Sequence, residues 1–333
     1  MKSFKNPYFL FFKENMAIFM ILILFIVFSI INSDFRKFEN FTSILAYSAI
    51  LGIVSTGMTF AVLLGMFDLS VGGILCLAAT LHTLWSMGYF TLYLPPPGSI
   101  MFIKELKPLL PESLLFTLSL LIGGALGLLN GIIISYFGVP SIVVTLGTMI
   151  FARGIAYTIS GANPLYTIPH YLRYIGQSVI GGIPLVFLIW LGTSIIAGIV
   201  LRYTKFGRWI YQVGGNPEAS YAVGVNLTLV RTLAMFISGL CAALAGLLMV
   251  GRTLVMHPHY GIGMELDAIA AVAIGGVSLS GGRGGILNTV AGVLCLSIIT
   301  NLLNLYAIEV IIQYIIKGII LIIFVLVTKI IGR

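Results

Sequence analysis

The chain has 333 residues, 59% of them hydrophobic and 8% charged, with a mean hydropathy of +1.11 and a formal charge of +8. Soluble domains carry roughly a quarter charged residues, so this composition excludes a soluble enzyme or binding module and predicts an all-α polytopic membrane protein. The bases flank apolar runs instead of interleaving with aromatics, so membrane lipid, and not nucleic acid, is their expected counter-charge.

A helix needs ~20 apolar residues to cross a bilayer. The uncharged intervals predict ten transmembrane helices, at 16–32, 44–65, 70–90, 113–136, 140–160, 180–201, 230–250, 266–281, 285–304 and 309–328. Lys2, Lys5 and Lys13 precede the first, but no small-residue cleavage site follows, so it reads as a retained span and not a signal peptide. With the N-terminus inside, ten bases fall on the cytoplasmic side and six outside, which predicts both termini cytoplasmic. The longest external loop is 91–112, with three prolines at 95–97. Cys76, Cys241 and Cys295 lie in apolar runs without paired spacing and are expected to be buried and reduced.

In chain order, the first Gly-rich break is GMFDLSVGGIL at 65–75. Asp68 there suggests an Asx-type cap that turns the chain back into the membrane, with Ser70 and Gly72 in the same structural or gating role. Direct handling of solute or protons by Asp68 is the other reading. The similar stretch GGVSLSGGRGGIL at 275–287 hints at an internal duplication, and both read as broken or re-entrant Gly-rich segments. Asn130, Thr145, Asn301 and Asn304 either glue helices together or line a translocation path. Arg153, after forty uncharged residues, either lines that path or snorkels to headgroups; Lys317 reads as a pairing or snorkelling residue.

The longest charged interruption is Arg202 to Arg231, with four bases and Glu218 as its one acid. Within it, Asn216 is a good N-cap, Pro217 suits the first helical position and Glu218 complements the helix dipole. Gly224 closes the helix about two turns later. A loop helix lying on its own protein and a docking knob for a cytoplasmic partner are both open on spacing alone, with Ala219, Ser220 and Tyr221 forming its body. Glu265 and Asp267 open the run at 266–281, as acids favour a helix N-terminus, and are assigned a structural or gating role. LSGGR at 279–283 looks like the signature of transporter ATPases, but no phosphate loop occurs in the chain, so glycines that break a helix explain it better. His257 and His259 flank Pro258 without a third ligand nearby, which argues against a metal site.

Five ordered blocks together resemble the ribose-type permease family of bacterial ABC importers. They are GMTFAVLLGMFDLSVGG (57–73), PSIVVTLGTMIFARGIAY (140–157), TKFGRWIYQVGGNPEASYAVGVN (204–226), ELDAIAAVAIGGVSLSGGRGGILNT (265–289) and QYIIKGIILII (313–323). The family usually has Gly-Gly-Ile-Asp before Leu-Ser-Val-Gly, whereas this chain has Gly65-Met66-Phe67-Asp68. The resemblance implies that Asn216 through Gly224 form the cytoplasmic coupling helix that docks on an ATPase subunit. It also implies a second permease subunit, identical or paralogous, and a periplasmic or lipid-anchored sugar-binding protein. No cofactor is expected in this chain, since ATP-Mg would be bound and hydrolysed by the partner. The expected activity is monosaccharide import across the bacterial cytoplasmic membrane, without catalysis by this chain. The alternatives within the superfamily are permeases for nucleosides, a furanosyl quorum signal or branched-chain amino acids. From other classes, an ion-coupled secondary transporter would need mid-membrane acids, and a membrane enzyme would need a convergent nucleophile–base or metal set.

Overall fold

The structure is a computed structural model that describes residues 16–88 and 110–331. Lys2, Lys5, Lys13, Arg333 and nearly all of the expected external loop lie outside the described residues. Among the described residues, the regular structure is helical apart from a two-stranded hairpin and an isolated bridge between Leu165 and Met256. The helices are α1 (Met16–Ile31), α2 (Phe38–Leu63), α3 (Val71–Ser86), α4 (Glu112–Phe137), α5 (Ser141–Ser160), α6 (His170–Gln177) and α7 (Leu185–Tyr203). They continue with α8 (Lys205–Gly215), α9 (Pro217–Ala222), α10 (Leu227–Thr253), α11 (Met264–Ile274), α12 (Ile286–Leu305) and α13 (Val310–Ile331). Strands β1 (Val179–Ile180) and β2 (Ile183–Pro184) pair antiparallel before α7.

Among the described residues, six helices are long and apolar enough to cross a membrane: α2, α4, α5, α7, α10 and α12. Shorter apolar stretches lie in α1, α3 and α13. The eighth expected span, 266–281, is not a continuous helix. α11 stops at Ile274, because Gly276 takes φ +94 and lets the Gly276 N–H reach Ala273 O and the Val277 N–H reach Val272 O. This paired bonding satisfies the helix-end carbonyls and reverses the chain. At about 1.5 Å per residue, the eleven residues of α11 are too short to span. The expected span at 180–201 likewise begins only at Leu185, since the hairpin occupies its first residues.

α10 is the central pillar, packed on α4, α2, α3 and α6. Lipid offers little hydrophobic drive for helices to pair, so close approach of small residues and the dispersion it gives must do so. α4 presents Gly123, Gly127 and Gly131 to α10 at four-residue intervals. A Cβ on Gly127 would collide with the Met235 carbonyl, and one on Gly239 with the Gly123 carbonyl. Both α2 and α10 are largely buried, whereas α5 and α7 leave most of their apolar surface exposed.

Candidate functional site

The capped segment 216–224 stands at one end of the bundle. The Asn216 side chain accepts the Ala219 N–H at 2.9 Å, and Pro217 begins α9. At the other end Gly224 takes φ +84, the Gly224 N–H donates to Tyr221 O at 2.9 Å and the Val225 N–H to Ser220 O at 3.0 Å. Ser220 is buried and its hydroxyl donates to Asn216 O, which turns the opposite face outward. On that face Glu218 and Ala219 are exposed, and Tyr221 and Val223 keep 72% and 76% of their surfaces open. So short a helix, closed at both ends, holds an apolar knob rigidly in the open.

α8, which the sequence reading missed, carries this knob. Gly214 of α8 packs against the Leu63 carbonyl and the Gly282 N–H, and Gly282 N–H donates to Leu63 O at 2.9 Å. Tyr211 donates its hydroxyl to Gly284 O at 2.9 Å, and burial raises its pKa, so it stays a neutral donor. The end of α2, α8 and the glycine loop 278–284 therefore form one hydrogen-bonded unit. The two similar Gly-rich stretches meet there: a Cβ on Gly65 would lie 3.4 Å from Ser280 O.

Asp68 is fully buried. One of its oxygens accepts both the backbone N–H and the hydroxyl of Ser70, an Asx-type turn leading into α3. Ser70 in turn accepts from Asn130 Nδ2 at 3.0 Å, and Asn130 accepts from Thr148. Thr145 accepts the Leu69 N–H at 3.1 Å and donates to Ser141 O. Asn301 and Asn40 exchange two hydrogen bonds at 2.8 and 3.1 Å, and Asn304 accepts from Gln313 at 2.9 Å. Four of the five expected path residues are thus bound to other parts of the fold. Gly72 instead packs against the Gly261 carbonyl and the Glu265 carboxylate.

The fifth, Arg153, belongs to a different set. Its guanidinium donates to Tyr260 O at 3.3 Å, and its charge acts on Glu265. Glu265 and Asp267 occupy the first turn of α11, where Asp267 pairs with Lys317 at 2.7 Å and Glu265 Oε2 is buried without a partner. His257 and His259 lie with ring centroids 4.9 Å apart, but no group of three or more metal-ligating residues occurs among the described residues. A buried His82, which sequence reasoning passed over, ties α3 to Ser119 of α4 at 3.2 Å and to the Tyr171 hydroxyl of α6 at 2.5 Å. Cys76 and Cys295 are buried and Cys241 is half-buried, and none of the three forms a disulfide.

The model of the branched-chain amino acid transport system / permease component family matches residues 40–325. Among curated proteins, the chain is 32% identical to the ribose import permease protein of Haemophilus influenzae over 323 residues, 96% of this chain and 94% of that one. It is 34% identical to the ribose import permease protein of Bacillus subtilis, over 93% of this chain and 90% of that protein. The D-allose transport system permease protein of Escherichia coli is 31% identical over 93% of this chain and 89% of its own length. No solved structure matches. A family match across most of the chain, joined to near-full-length identity with import permeases, makes this protein a member of that family: a multi-pass, non-catalytic membrane permease of a bacterial ABC importer.

Proposed function

We propose that the chain imports a monosaccharide, driven by ATP hydrolysis on a separate ATPase subunit and supplied by a solute-binding protein. The observation that carries this is similarity over 93–96% of the chain to permeases named for ribose and allose. Nine helices, α1 to α5, α7, α10, α12 and α13, and a broken tenth crossing made by α11 with the segments on either side of it, with both termini cytoplasmic, fit the geometry. The end of α2, the start of α10 and the loop before α12 gather beside α8 and α9, while Asn40 of α2 meets Asn301 of α12 at the opposite end.

α9 is the coupling helix, with Asn216, Pro217, Glu218, Ala219, Ser220, Tyr221 and Gly224 as its parts. Its exposed apolar knob supports that reading, because α8 links it to α2 and the glycine loop. ATP-driven movement of the cassettes shifts α9, and α8 passes the shift to the break between α11 and α12. Two permease subunits, this chain twice or with a paralogue, rock between inward- and outward-open states. The binding protein biases the same equilibrium from outside, provided that it favours one state over the other.

Expression of the chain with its ATPase and binding protein in cells stripped of sugar importers tests the substrate class. Uptake of a labelled pentose or hexose, uncompeted by nucleosides or leucine, is expected. Competition by leucine or a nucleoside instead would move the chain to the amino-acid or nucleoside branch.

A further inference from the structure

We infer that a pocket between α4 and α10, beside the turn that follows α9, holds the phosphate of an anionic phospholipid headgroup. The inference goes beyond the importer reading and needs only that the chain spans a membrane, whatever solute it carries. α4 and α10 touch backbone to backbone at Gly131, where a Cβ would lie 2.4 Å from Thr232 Cα. About one turn nearer α9 a pocket of about 430 Å³ opens, lined by Ser135 of α4, Tyr221 of α9, Asn226, and Thr228 and Arg231 of α10. That volume suits a small polar group with its surrounding water.

The lining carries one sign of charge, since Arg231 belongs to it and no carboxylate does. Among the described residues the Arg231 guanidinium has neither an ion pair nor a hydrogen-bond acceptor. Its Nε is covered, whereas its terminal nitrogens are not, so those are the donors left for an anion. A half-buried arginine without an anion is costly to keep, and a guanidinium matches two phosphate oxygens at once. The exposed Thr228 hydroxyl and the positive end of the α10 dipole, capped by Asn226, add to the same attraction.

The surroundings identify the source of that phosphate. Tyr136 and Phe137, next to Ser135, are exposed with their rings edge to face at 5.2 Å, as aromatic side chains at headgroup level are. Ile132, one turn deeper on α4, and Leu229 of α10 are also exposed, which leaves aliphatic surface for acyl chains. Basic pockets between membrane helices at this level take anionic headgroups. Without a carboxylate in the lining, nothing holds a choline or ethanolamine cation, so phosphatidylglycerol fits better than phosphatidylcholine. Glu218 and Ala219 of the exposed knob lie outside the pocket, so lipid and ATPase contacts are separable.

The test takes the purified full-length chain in detergent, stripped of lipid, and counts bound molecules by native mass spectrometry. Phosphatidylglycerol, phosphatidylcholine and sodium phosphate are the probes. One phosphatidylglycerol is expected to bind more tightly than phosphatidylcholine and to resist competition by phosphate. Arg231→Gln should weaken it about tenfold, the size of a lost charge-assisted hydrogen bond, and Arg231→Lys should restore part of that loss. Thr228→Val, at an exposed position, should weaken it less and keeps the test if Arg231→Gln fails to fold. Equal binding by wild type and folded variants would overturn the site. Displacement by sodium phosphate would overturn the lipid assignment in favour of a soluble phosphate compound. Loss of ATPase co-purification from Arg231→Gln, with lipid binding unchanged, would overturn it in favour of the ATPase as occupant.

Discussion

Asp267 and Lys317 hold opposite charges 2.7 Å apart between α11 and α13, with side chains 24% and 18% exposed. Within a membrane such a pair matters mainly through what its loss leaves behind, an ammonium without its carboxylate. Asp267→Asn is expected to cost roughly 1–3 kcal/mol, read as a lower Tm of the purified protein in detergent. Asp267→Asn with Lys317→Met should recover part of that loss; equal Tm values for the single and double variants would count against the pair. The pairing tendency of Lys317 was legible in the sequence, but its partner fifty residues away was not. Asn130, Thr145, Asn301 and Asn304 looked like candidates for solute because a sequence cannot tell a satisfied amide from a free one. Their partners, Ser70 and Thr148, Ser141, Asn40 and Gln313, come from other turns or other helices. Glu265 was read as a helix-start acid, and its orphaned oxygen beside Gly72 emerges only from the close approach of two backbone turns.

α9 is the element most fully written in local sequence. Asn216, Pro217 and Gly224 set its start and stop within nine residues, and each acts through bonds no longer than one turn. Glu218→Lys or Ala219→Trp leaves those bonds in place and alters only the exposed face. Loss of ATPase co-purification with normal membrane insertion is the expected result, and unchanged co-purification and uptake would remove the coupling assignment. Elements without such local signals were harder to read. α8 is amphipathic and follows α7 with only Thr204 between, so the charges of Lys205 and Arg208 read as loop. α6 has eight residues and a polar composition, and it is held by contact with α10. The stretch 275–287 reads as a break in the sequence, but the apolar run at 266–281 hid how early the helix stops, since a glycine pair in a membrane helix serves either close packing or a chain reversal. Here Gly276 reverses the chain, and Gly275 packs against Asn288 of α12.

Across the whole molecule, a helical body built on α4 and α10 adjoins a set in which α8, the end of α2 and the loop 278–284 share hydrogen bonds. That arrangement gives the exposed knob of α9 a contiguous route to the start of α12 and, through α11, to Glu265. Composition and hydropathy were enough to reveal a polytopic membrane protein, because the exclusion of charge from long runs is a global property. The internal contact between the two glycine-rich stretches needed the structure, since their likeness in sequence says nothing of where they meet. The measurement closest to the central claim is solute accumulation in proteoliposomes holding this chain, its ATPase and its binding protein, with ATP or an ion gradient supplied separately. Accumulation of sugar is expected only with all three proteins and ATP, and it should persist when ionophores collapse every gradient. Uptake driven by an ion gradient without the ATPase would contradict ATP-driven import and make the buried Asp68 the first residue to replace.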